Sequence, residues 1–167
     1  MKKFILNPIS MFIIGLLLGI LIKVLDVYGK GFGMELAYMF SDIQVWILLG
    51  ILISIFSKTK KQAAINIFPF CIGMLITYYV VANILNVVYG KSFIIGWSIF
   101  SLFSPLFAYF TWQSKEKGIF SKIISIGIIL GTIILTLILG GGSTILDYIC
   151  LILILYFVIF HKIKRDN

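Results

Sequence analysis

The sequence predicts an all-α, polytopic membrane protein: one bundle of six transmembrane helices, with both termini in the cytoplasm. Three observations carry this reading. The 167 residues are 61% hydrophobic and only 12% charged, against about 25% charged in a soluble domain. The charges that remain punctuate long apolar runs. And the 14 Lys and Arg residues divide 11 to 3 between alternate connections. The runs are continuous rather than alternating, which selects helices over a membrane barrel.

A membrane helix needs about 20 mostly apolar residues. Six runs approach that length: Pro8–Tyr28, Ser41–Ser57, Gln62–Val88, Ser92–Trp112, Ile119–Leu139 and Ser143–Lys162. The first opens with Met1-Lys2-Lys3 like a signal peptide, but its apolar run is long and no small-x-small cleavage site follows. It is expected to stay as a first helix, with Pro8 in the first turn. The second run is short unless Glu35–Phe40 joins it as an outer, interfacial turn. The third carries Pro69 as an expected kink. In the fourth, Trp97, Ser101, Ser104, Ala108 and Thr111 share one helical face; in the fifth, Ser121, Ser125, Thr132 and Thr136 do. Such hydroxyl stripes glue membrane helices together. The six runs use most of the chain, so residues 1–167 form a single integral membrane domain.

Orientation follows from the lysines. Lys2, Lys3, Lys58, Lys60, Lys61, Lys115, Lys117, Lys122, Lys162, Lys164 and Arg165 fall on one side; Lys23, Lys30 and Lys91 fall on the other. The positive-inside rule puts the first group in the cytoplasm. An even number of spans brings both termini to that side. The net charge of +8 is then a set of cytoplasmic collars facing anionic headgroups of the cell membrane, not a nucleic-acid surface.

Two charges interrupt the first helix. At about 100° per residue, with Gly15 at zero, Gly19 lies near 40°, Asp26 near 20° and Lys23 near 80°. Both charges therefore share a stripe with the small-xxx-small pair Gly15 and Gly19, which lets another helix approach closely. Lys23 and Asp26, three residues apart, are also placed to pair. Ionisable residues on a protein-facing stripe in a membrane are functional candidates. With the predicted topology, Lys23, Asp26, Asp42, Gln44, Trp46, Tyr79, Asn83, Asn86 and Trp97 all lie toward the outer leaflet. Lys23, Asp26, Asp42, Trp46, Tyr79, Asn83 and Trp97 are the expected lining of an outward-facing polar pocket. The glycine-rich loops at Gly29–Gly33 and Gly140–Ser143 lie on the same side.

Catalytic constellations are missing. The one histidine, His161, sits at the end of the last run, so no Ser–His or Cys–His pair can form inside the bilayer. Cys71 and Cys150 both fall within apolar runs and read as packing residues. GGGST at Gly140–Thr144 lacks the lysine of a nucleotide-binding loop. No enzyme activity, metal or cofactor is expected.

The run FSDIQVWILLGILISIFSKTKKQAAINIFPFCIGMLITYY, Phe40–Tyr79, with LIKVLD before it and SPLFAYFTW after it, resembles an uncharacterised family of small six-span membrane proteins of Gram-positive bacteria. That resemblance covers nearly the whole chain and implies no activity. The six-span, both-ends-inside plan also resembles the substrate-binding subunits of energy-coupling-factor transporters. Those subunits capture vitamins or metal ions from outside. Their first helix contacts the transmembrane coupling subunit through a small-xxx-small motif, which Gly15 and Gly19 would supply here, although that family usually shows alanines. This resemblance implies other transporter subunits, an ATPase among them, as partners. The functional expectation is a non-enzymatic protein that binds or transports a small solute. The alternative is a structural or accessory subunit that binds another membrane protein and no solute.

Overall fold

The computed structural model describes residues 6–41, 43–87, 90–139 and 145–163. Every element in it is helical. They are α1 (Pro8–Tyr28), α2 (Phe32–Ser41), α3 (Ile43–Phe56), α4 (Lys60–Ile84), α5 (Lys91–Gln113), α6 (Ile119–Leu139) and α7 (Ile145–Leu155), which runs on into a π-helical turn, Tyr156–Phe160.

Local chemistry sets several of these boundaries. Asn7 caps α1, its Oδ1 accepting the Ser10 amide at 2.8 Å, with Pro8 next in line as the sequence leads one to expect. Thr59 does the same for α4 through the Gln62 amide at 3.1 Å. Asn86 ends α4 in the left-handed region at φ 54°. The Val87 amide then reaches the Ala82 carbonyl and the Asn86 amide reaches that of Asn83, the paired bonds of a Schellman stop. Asn86 thus closes the C-terminal end of α4. Pro105 removes the amide that would have bonded the Ser101 carbonyl, and the Ser104 hydroxyl takes over that carbonyl at 2.8 Å. α5 therefore runs unbroken through its proline.

Among the described residues four helices are long and apolar enough to cross a membrane: α1, α4, and most of α5 and α6. α2 and α3 make a fifth, broken candidate, bent by 70°. The Glu35–Phe40 stretch, expected as an interfacial turn, belongs to a helix of its own. The last apolar helix, Tyr148–Phe160, is shorter than a regular span. The lipid-facing character shows on α6, where Ile119, Ile123, Ile126, Leu130 and Leu137 are all more than half exposed. Water-soluble monomers rarely present such a continuous apolar face, and this one is compatible with a membrane-embedded helix.

α3 is the central element. One side joins Trp46 and Ile53 to Ile67, Phe70 and Met74 of α4 and Ala108 and Trp112 of α5. The other joins Leu48, Ile51 and Ile55 to Cys150, Ile154 and Val158. α1 lies against α4 through glycine. A Cβ added at Gly15 would stand 2.2 Å from the Phe70 carbonyl oxygen, and one at Gly73 would stand 2.7 Å from that of Phe12. The Thr77 hydroxyl, which bonds the Leu16 carbonyl at 2.9 Å, ties the same crossing.

Polar ties concentrate at one end of the bundle. Asn66 Nδ2 donates to the Leu6 carbonyl and to Ser57 Oγ. Trp112 Nε1 donates to the Ser57 carbonyl at 2.9 Å. Lys115 Nζ reaches the carbonyls of Val158 and His161 at 2.8 and 3.0 Å, closing the open C-terminal end of the last helix. These bonds gather the start of α1, the α3–α4 and α5–α6 connections and the end of the last helix in one layer. That layer also carries Lys58, Lys60, Lys61, Lys115, Lys117 and Lys162.

Candidate functional site

The residues singled out from sequence come to rest in two separate places. On α1, Lys23 is 3% exposed and its Nζ lies 2.6 Å from Asp26 Oδ2, with the Asp26 side chain 37% exposed. The same ammonium sits 4.9 Å from the centre of the Tyr78 ring on α4. A lysine in apolar surroundings is tolerated only when paired and bonded. Here the carboxylate and the aromatic face supply that pairing, and α4 covers the stripe. Gly15 and Gly19 are buried on it and do their helix packing within the chain.

The second place is an apolar cavity of about 390 Å³ between α3, α4, α5 and α6. Its upper wall is aromatic. Trp46 and Trp97 meet edge to face, with ring centres 6.0 Å apart. Phe70 lies 6.4 Å from Trp46, and Phe100 lies 5.8 Å from Trp97. Trp46 is held from above, because its Nε1 donates to the Phe40 carbonyl at 2.8 Å and so caps the end of α2 across the bend. This one bond both orients the ring and joins the two halves of the broken span.

Among the described residues no charged side chain lines the cavity; its polar members are hydroxyls and the Cys71 thiol. Most of the hydroxyl protons are already spent on helix carbonyls. Ser54 donates to Gly50 at 2.6 Å, Ser104 to Ser101 and Thr132 to Ile128 at 2.8 Å. The Cys71 thiol sits against the Ser101 and Ser104 hydroxyls. The space itself comes from small residues. A Cβ at Gly127 or Gly131 of α6 would meet nothing within 4 Å, and one at Gly50 of α3 would come no nearer than 3.9 Å to Ile67.

Trp46 and Trp97 are thus brought together, and Lys23 and Asp26 are paired, but neither charge lines the cavity. The reason is that α4 takes the α1 stripe for itself. Tyr79 is half-buried against the core, 5.3 Å from the Tyr78 ring, and Asn83 is exposed near the end of α4. Asp42 lies outside the described residues. Gln44 is 1% exposed, and among the described residues neither its amide nitrogen nor its oxygen has a hydrogen-bond partner. Its signal in the sequence is a lone amide in the run IQVWILL.

Sequence inspection missed the cavity. Gly127-Ile-Ile-Leu-Gly131 has the same spacing as Gly15–Gly19, but α6 turns it toward open space. Among the described residues no three or more His, Cys, Asp or Glu side chains come together. The chain matches no protein-family model, no curated protein and no solved structure.

Proposed function

We propose that the protein is a non-enzymatic, multi-pass protein of the cell membrane that binds a small, mainly apolar ligand in the cavity under Trp46 and Trp97. The observation that carries this reading is the cavity itself, about 390 Å³ and lined by no charged side chain among the described residues. Ligand pockets occupy roughly 300–1,000 Å³ and are mostly apolar with a few placed polar groups.

The six-span, cytoplasmic-termini topology is part of the same proposal. Its support is that Leu6 and His161 lie in the same hydrogen-bonded layer, as an even number of crossings would place them, and that this layer holds most of the lysines among the described residues. The α2–α3 pair serves as the second crossing and α7 with its π turn as the sixth. The protein acts alone or as the binding unit beside other transporter subunits, an ATPase among them. With Gly15 and Gly19 covered by α4, a partner helix would dock elsewhere.

Thermal unfolding of detergent-purified protein against a panel of vitamins, amino acids, ions and apolar ring compounds tests the ligand. A compound at 100 times its Kd adds about 2.7 kcal/mol. We expect apolar compounds to raise the transition and charged ones to leave it in place. Loss of stabilisation in Gly131→Leu and its retention in Asp26→Asn would tie binding to the cavity. No stabilisation by any compound would remove the reading.

A further inference from the structure

We infer that the cavity takes the hydrocarbon tail of a membrane lipid, which enters sideways between α5 and α6. This names the ligand class of the site proposed above and rests on that reading.

Shape comes first. Along α6 the lining runs from Ile124 to Leu135, about 16 Å at 1.5 Å per residue. Along α5 it runs from Trp97 to Thr111, about 21 Å on the same rise. An apolar space that long, parallel to the helices, suits an extended tail better than a compact hydrated solute.

Access comes second. Phe107 and Phe110 of α5 line the cavity and are also 52% and 39% exposed. Gly127 of α6 lines it and is exposed as well. The slot therefore opens on the side of the bundle, where α5 and α6 face lipid. α6 is the least buried of the long helices, 11% against 39% for α4, so it is the wall most free to part from its neighbours.

Chemistry comes third. Among the described residues the lining offers no cation to hold a carboxylate or phosphate and no free run of donors for a sugar. The site recognises length and apolarity. The headgroup stays outside, at the bilayer surface.

The test uses the wild-type full chain in vesicles doped with a phospholipid carrying a photoreactive diazirine at the tail end. Surrounding lipid labels exposed residues such as Leu102, 66% exposed. A tail inside the slot labels Cys71 and Met74, which line the cavity and are only 5% and 6% exposed. We expect adducts on Cys71 or Met74, reduced at least five-fold in Gly131→Leu and in Gly127→Leu, with Leu102 labelling and the thermal transition retained. A parallel arm with a diazirine polyprenyl phosphate distinguishes a phospholipid tail from an isoprenoid one. Adducts confined to exposed residues, or adducts at Cys71 and Met74 that both leucine variants leave unchanged, would overturn the inference. If those adducts are absent while a soluble compound stabilises the protein in the thermal panel, the binding site stands and only the lipid falls. If both measurements fail, both readings fall.

Discussion

Gly15 and Phe70 stand closer than a side chain permits. The Cβ of any other residue at position 15 would lie 2.2 Å from the Phe70 carbonyl oxygen and 3.0 Å from its carbon. The obstacle is backbone, so no rotamer relieves it. Gly131, in the same kind of spacing on α6, has nothing within 4 Å of the same point. Gly15→Ala is expected to cost at least ~2 kcal/mol through forced separation of α1 and α4. Gly131→Ala should fall within about 1 kcal/mol of wild type, and on the stable side. Paired thermal melts in one detergent check the contrast. Equal effects would mean that the α1–α4 crossing is not as tight as drawn.

The Lys23–Asp26 pair predicts an asymmetry. Removing one partner of a fully buried pair costs about 3–5 kcal/mol. Asp26 is 37% exposed, so water tempers the loss, and about 1–2 kcal/mol is expected for Asp26→Asn. The double change Lys23→Met with Asp26→Asn should recover most of this, because no buried charge is left without a counter-ion. A double-mutant cycle measures it. Additive losses would show that the two side chains do not depend on each other.

Gln44 invites a stabilising substitution. Its amide is buried with neither end bonded among the described residues, and a buried polar group without a partner costs about 1–3 kcal/mol. Gln44→Leu should therefore raise the unfolding transition by the equivalent of ~1 kcal/mol or more. A drop instead would mean that the amide has a partner in the membrane-embedded protein.

Lys115 ties the last helix to the α5–α6 turn through two carbonyls. Lys115→Met keeps most of the apolar stem and removes both bonds, each worth about 1 kcal/mol or somewhat more because the donor is charged. Amide exchange should rise over residues 158–163 and stay unchanged in α1. Exchange that is unaltered everywhere would show that the turn holds the helix by packing alone.

Much of the fold was legible before any coordinates. α1 coincides with the run Pro8–Tyr28 and α6 with Ile119–Leu139, because in these stretches hydropathy and charged flanks agree. The second run was harder to place. Ile43–Phe56 is too short to span by itself, and the helix before it, Phe32–Ser41, mixes Glu35 and Gly33 with apolar residues, so composition does not show that it folds as a separate helix at 70°. The candidate site was legible only in pieces. A helical wheel correctly put Lys23 beside Asp26, since both lie on one helix. It could not show that Tyr78 completes their surroundings, or that Trp46 and Trp97, from different helices, meet 6.0 Å apart over a slot.

By itself the sequence determined the helical class, the long apolar elements and the end of the bundle where lysines collect. All three follow from hydropathy and charge summed along the chain, and such sums need no knowledge of neighbours. Only the tertiary structure decided which small-residue stripe would be filled and which left open. Gly15–Gly19 and Gly127–Gly131 are alike in spacing, but one is pressed against α4 and the other borders the cavity. A glycine removes the same atoms wherever it stands. Whether that makes a helix contact or a binding space depends on how closely the facing helix approaches, and that distance is set by every other contact in the bundle.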